Sequence, residues 1–271
     1  MTAVLPTFLV LPHRLDLAPL ARAWFPEAEW VQAPAADAAP VGARFRGIAG
    51  PRSVAGRLRL TWTSHLEGPL DHAELEGVDV GQVGAVHRLR TEDPAPDGRV
   101  LEWLRAVARR VGGAVVEAGR PAERFDADSV VDLAVYSPVP VPPEVMLGLL
   151  RAVVPAATLT DAPDPSEGIA SYTIHLPTAF DGSVEMHFSR ADEIPLSLLQ
   201  LDWREYGPFS YRVTWRSPSE EASWQRVARA RVRPVVARVA FAVQRAAEGS
   251  VVDGDGFQVP HEELVKRAVA G

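Results

Sequence analysis

One stretch of the chain is written twice, and this constrains the fold more than any other feature. Residues 99–119 align with residues 235–255 at a constant offset of 136, so that Ala106, Val107, Arg109, Gly113, Val115 and Val116 meet Ala242, Val243, Arg245, Gly249, Val251 and Val252, with the acid Glu117 meeting Asp253. In the first copy Val100, Trp103, Leu104, Val107 and Val111 recur at helical spacing behind Asp97, a natural helix cap. Gly112 and Gly113 offer the left-handed conformation that ends a helix, and residues 114–116 form a short apolar strand. In the second copy Ser217, Pro218 and Glu220 spell a capping box with proline at the first helical position, and Gly249 stands as the stop. A helix, a glycine and a strand copied together imply an internal duplication.

The rest of the chain falls into two matching series. Residues 7–11 suit a buried strand, 16–25 a helix closed by Pro26, and 57–63 a half-buried strand with Leu58, Leu60 and Trp62 on one face and Arg57 and Arg59 on the other. Residues 31–53, rich in Ala, Pro and Gly, read as a loop, and 84–90 as a weaker strand. In the second half, 130–136 is a strand and 142–154 a helix bounded by prolines. An acidic loop follows at 162–168. Strands are then expected at 171–176, 183–189, 196–203 and 211–216, before the long helix from 218 to 247. The expected fold is α+β, with tandem ferredoxin-like (βαββαβ) repeats whose sheets are antiparallel and whose helices pack on one face. The expected domains are residues 1–120 and 130–271, the second with an extra strand, joined by a linker at 121–129.

Composition narrows the functional classes. The chain has 271 residues, 47% of them hydrophobic, enough for two ordinary cores. It has no cysteine, so disulfides, thiolate metal sites and a sulfur nucleophile are excluded. Without a signal-peptide pattern at the start or about 18 consecutive apolar residues, a soluble cytoplasmic protein with no membrane partner is expected. Residues 1–125 hold 15 acidic and 15 basic groups, and residues 126–271 hold 20 and 13. That balance argues against a nucleic-acid partner, which needs a basic surface. Of the 28 basic residues only Lys266 is lysine, so arginine abundance alone marks no site.

Two constellations carry possible chemistry. If Tyr172, Ile174 and Leu176 share a buried face with Val184, Met186 and Phe188, then His175, His187 and Glu185 share the opposite face, where they could hold a divalent metal or serve as acid and base. Arg212 and Arg216 point to one side of their strand, as do Arg57 and Arg59, and guanidinium groups so placed could grip a carboxylate or phosphate. Asp253, Asp255, Gly256 and Glu262 resemble part of a calcium loop, but Val251 stands at its first position. His261 and Glu262 open like a zincin motif that Val265 then breaks, and no nucleophile elbow, phosphate loop or dinucleotide fingerprint occurs. The expected function is binding or assembly, with a small anionic molecule or a protein as partner and a homodimer possible. The alternative is a metal-dependent or acid/base enzyme working from His175, His187 and Glu185. No cofactor is expected beyond that divalent metal.

Overall fold

A computed structural model describes residues 6–36, 53–70, 75, 78–93, 97–161 and 171–269. The chain divides into two units, Met1–Ala127 and Asp128–Gly271. Each is α+β, an antiparallel sheet with a few helices. The division falls inside the stretch read as a linker, although Glu123–Arg124 within it pairs with the edge of the first sheet.

The first unit runs β1 (Thr7–Leu11), α1 (Ala18–Arg22), β2 (Glu29–Gln32), β3 (Ala35–Ala36), β4 (Ser53–Val54), β5 (Gly56–Arg59), β6 (Ser64–Leu70), β7 (Ala85–Thr91), α2 (Gly98–Val111), β8 (Ala114–Glu117) and β9 (Glu123–Arg124). Its main sheet has the order β2-β5-β6-β7-β1-β8-β9, and β3 and β4 form a separate ribbon. β1 is an inner strand, flanked by β7 and β8, because Thr7-Phe-Leu-Val-Leu11 is largely apolar on both faces and all five residues are buried. Asp97 caps α2 by accepting from the Arg99 amide at 2.9 Å. Val100, Trp103, Leu104 and Val107 bury the apolar stripe of α2, each contributing roughly 1.5–3 kcal/mol or more. The Trp103 indole donates to the Leu20 carbonyl at 3.0 Å and so ties α2 to the end of α1.

The second unit runs β10 (Leu133–Ser137), α3 (Pro143–Arg151), β11 (Thr158–Asp161), β12 (Tyr172–Pro177), β13 (Ser183–Arg190), β14 (Phe209–Arg216), α4 (Ala222–Ala247), β15 (Ser250–Asp253) and α5 (His261–Val269). Its sheet order is β11-β12-β13-β14-β10-β15. The core lies between one sheet face, with Val135, Ile174, Met186 and Val213, and the helices, with Met146, Leu150, Val236 and Val243. On the opposite face Tyr136 and Val252 pack with Leu198, Ile194 and Leu201 from the segment that follows β13.

The six strands of the second sheet correspond in order to six of the seven in the first, and β9 has no counterpart. In each, the first strand lies between the strand before the long helix and the strand after it, and Leu9 pairs with His87 and Val115 just as Val135 pairs with Tyr211 and Val251. The repeated glycines have a specific cause. A Cβ on Gly113 would come within 2.4 Å of the Val10 carbonyl oxygen, and one on Gly249 within 2.3 Å of that of Tyr136, so both helices turn onto the central strand where no side chain fits. The left-handed residues are the ones before them, Gly112 at φ 70° and Glu248 at φ 54°.

Several expectations are corrected. The sheets are antiparallel as expected, but a βαββαβ unit has four strands, whereas each sheet here carries a meander of four strands beside its first strand and is larger than that repeat. The chain turns at residues 60–63 instead of extending through them, which leaves Trp62 at 85% exposure and starts β6 at Ser64. Residues 196–203 form turns, because Ile194, Leu198 and Leu201 cover a sheet face instead of joining an edge. α4 begins after Glu221, since Ser217 and Ser219 bond within their own turn. Part of the expected loop at 31–53 belongs to β2 and β3; its residues 37–52, and the acidic loop at 162–168, lie outside the described residues.

Candidate functional site

The β12–β13 hairpin brings part of the histidine constellation together. Tyr172, Ile174, Leu176, Val184, Met186 and Phe188 are buried, and His175, Glu185 and His187 lie on the other face, each partly exposed. His175 faces Glu185 across the pair and His187 faces Thr173, which makes the histidines diagonal neighbours. Their polar atoms are spoken for separately: His187 Nδ1 lies 3.0 Å from Thr173 Oγ1, and Glu185 accepts from Arg216 Nε at 2.7 Å. Among the described residues no trio of His, Asp or Glu is placed to hold a metal ion.

The arginines fall on two sheets. Arg212 and Arg216 lie on β14, Arg212 beside His187 and against the Tyr136 hydroxyl, whose pKa is raised by burial and held back by that guanidinium. Arg57 and Arg59 lie on β5 of the first unit, where Arg59 forms a 2.6 Å ion pair with Glu29 and lies over the Trp62 ring. Arg216 and Arg59 are thus neutralised on their own sheets. Asp253 accepts from the amides of Asp255 and Phe257 at 3.1 and 2.9 Å, so its carboxylate holds the turn after β15 together. That is the geometry of a structural turn.

The first unit contains a site that the sequence reading passed over. A cavity of about 470 Å³ is lined by Arg14, Asp16, Trp30, Pro69, Ala85 and His87 among others. Its volume is in the range of small-molecule sites. His87 forms its inner wall because alternation along β7 puts it on the same face as Ala85 and Leu89, and it retains only 4% of its surface. Among the described residues its Nδ1 has no hydrogen-bond partner, and the atom is buried away from the open space. Burial drives the His87 pKa down from 6.5 to about 4, so the ring is neutral near pH 7 and presents one donor and one acceptor. Gly68 on β6 makes room for it, since a Cβ there would sit 2.3 Å from His87 Nδ1.

The mouth is built by the segment between β1 and α1 together with β2. Asp16 Oδ1 accepts from the Ala18 amide at 3.0 Å and faces the Trp30 indole nitrogen at 3.4 Å, fixing the indole as a wall. Arg14 is exposed and has no ion pair among the described residues. An unsatisfied buried polar group costs about 1–3 kcal/mol, so native proteins seldom leave one without a use. The sequence does carry a signal for this site, a histidine at a core position of an alternating strand, although residues 84–90 read as the weakest strand of the first half.

Comparison of the chain with protein-family models, with curated proteins and with solved structures returns no match. The functional argument therefore rests on this geometry.

Proposed function

We infer that the protein is a small-molecule binding protein whose ligand occupies the cavity of the first unit. The observation that carries this reading is the cavity of about 470 Å³ itself, with the buried His87 ring and the Trp30 indole in its lining and Arg14 at its mouth. A bound molecule would pack against the His87 ring and the Trp30 indole and remove that wall from water. The anionic ligand expected from the arginines fits this site better than the sheet faces, because Arg14 stands at its mouth while Arg59 and Arg216 are already paired. The enzyme reading has no comparable support, since Glu185 and His187 are each engaged with a different neighbour.

The two units are, on this reading, copies of one ancestral unit larger than βαββαβ. Matching strand order and the paired glycines Gly113 and Gly249 support it. The test of function is a ligand-observed NMR screen of small organic molecules against the wild type and His87→Tyr. Hits that bind the wild type and lose binding in the folded variant support the site, and hits that bind both equally refute it.

A further inference from the structure

The second unit shows what this fold does with the same space when it is filled. Following the registers outward from the central strand, Gly56, Gly68, Ala85 and His87 of the first unit occupy the positions of Tyr172, Phe188, Phe209 and Tyr211 in the second. In the second unit these four form one aromatic cluster. Phe188 stacks on Tyr172 at 4.8 Å and on Phe209 at 5.6 Å, and Tyr211 tilts against it at 4.8 Å. The cluster is sealed by polar bonds to the segment after β10: Tyr211 accepts from the Val141 amide and donates to the Val139 carbonyl, each at 2.8 Å, and Tyr172 donates to the Val141 carbonyl at 2.8 Å.

The corresponding segment of the first unit, after β1, supplies Arg14 and Leu15 to the cavity. Three of the four rings are absent there, and one is an imidazole. Pro34 takes part of the room above Gly56 and the His87 ring leans over Gly68, so the open volume is what remains beside Ala85, Pro69 and Trp30. The space is therefore shaped by a sheet position that elsewhere in the chain accommodates stacked flat rings.

We propose that the ligand of the first unit is a small aromatic carboxylate, its ring lying between Trp30 and the His87 imidazole in the place of the missing aromatic side chains and its carboxylate meeting Arg14. This rests on the reading of the cavity as a ligand site and narrows the class of ligand. A planar ring satisfies the walls through stacking or edge contact, which a puckered ring of equal size does less well. The carboxylate provides the Arg14 guanidinium, which has no ion pair among the described residues, with a charge-assisted, bidentate partner.

The test compares three probes by titration calorimetry with ligand-observed NMR: phenylacetate, cyclohexylacetate and benzyl alcohol, against the wild type, Arg14→Ala, Ala85→Phe and His87→Tyr, with folding of each variant checked by circular dichroism. Phenylacetate is expected to bind the wild type about tenfold or more tightly than either other probe. Arg14→Ala should bring it down to the level of benzyl alcohol. Ala85→Phe, which installs the residue of the second unit, should abolish binding; if that variant does not fold, His87→Tyr replaces it with the same expectation. Cyclohexylacetate binding as well as phenylacetate, or no loss in Arg14→Ala, overturns the aromatic carboxylate while the cavity remains a small-molecule site. Failure of all three probes, with other screening hits still displaced by His87→Tyr, also overturns this ligand class alone. Phenylacetate binding that persists in folded cavity-filling variants overturns both readings.

Discussion

Acidification should destabilise the first unit through His87, and the size of the effect follows from its burial. The native pKa is about 4 against 6.5 for an unconstrained imidazole, and the sole cause is removal from water. Between those two values the unfolded chain binds a proton that the folded chain refuses, so stability is at its full value above 6.5, falls as the pH drops, and levels off below about 4. The whole span is worth about 3 kcal/mol, of which about 2 kcal/mol is lost between pH 7 and pH 5. Urea denaturation of the wild type and of His87→Gln at both pH values isolates the term, because the variant keeps Arg14, Asp16 and every other titrating group. The wild type should lose about 2 kcal/mol more than the variant over that interval. Since desolvation and not ion pairing is the cause, added salt should leave the difference unchanged. Identical pH slopes in the two proteins would refute the assignment of a buried neutral histidine.

Three further outcomes follow from local geometry. Gly68→Ala puts a methyl group 2.3 Å from His87 Nδ1 and 2.8 Å from the Val86 carbonyl oxygen, and should cost about 1–3 kcal/mol in thermal or urea denaturation, with part of the loss recovered when His87→Ala is added. Tyr211→Phe strands the Val141 amide and takes one of two donors from the Val139 carbonyl in the second unit, and should cost about 1–3 kcal/mol, a loss that would not appear if the hydroxyl were idle. Glu248→Gly relieves a non-glycine residue held at φ 54° where α4 ends and should raise stability by about 0.5–1 kcal/mol, measured as an increase in Tm.

What could be read in advance depended on whether a segment's own pattern decided its structure. β12 and β13 alternate so regularly that their pairing faces were legible, and with them the common face of His175, Glu185 and His187. The continuous apolar runs at β1 and β10 were equally plain, because a strand covered on both sides needs no polar alternation. β6 was not legible, since Gly68 and Pro69 interrupt it with residues that ordinarily mark turns. Trp62 was assigned to a buried face because it extends the spacing of Leu58 and Leu60, and only the pairing with β6 forces the chain to turn before it. The missing strands also explain why the fold looked four-stranded. Gly113 and Gly249 were correctly singled out, for a reason the sequence alone obscures: they are required by a carbonyl oxygen on another strand and not by their own dihedrals.

The cavity was hidden for a related reason. A site made by subtraction leaves no motif, because Gly56, Gly68 and Ala85 say nothing individually, and their meaning appears only against Tyr172, Phe188 and Phe209 at the same registers. Two sheets that share six strand positions in the same order give the chain its own point of comparison. In the second unit Tyr211 commits its hydroxyl to Val139 and Val141 and closes the core, whereas the His87 ring at the same register has no partner for Nδ1 among the described residues and borders the cavity. The lost rings and an arginine without an ion pair among the described residues, both on one cavity, are what the proposed ligand site of the first unit rests on, and the second unit is the filled counterpart against which it is tested.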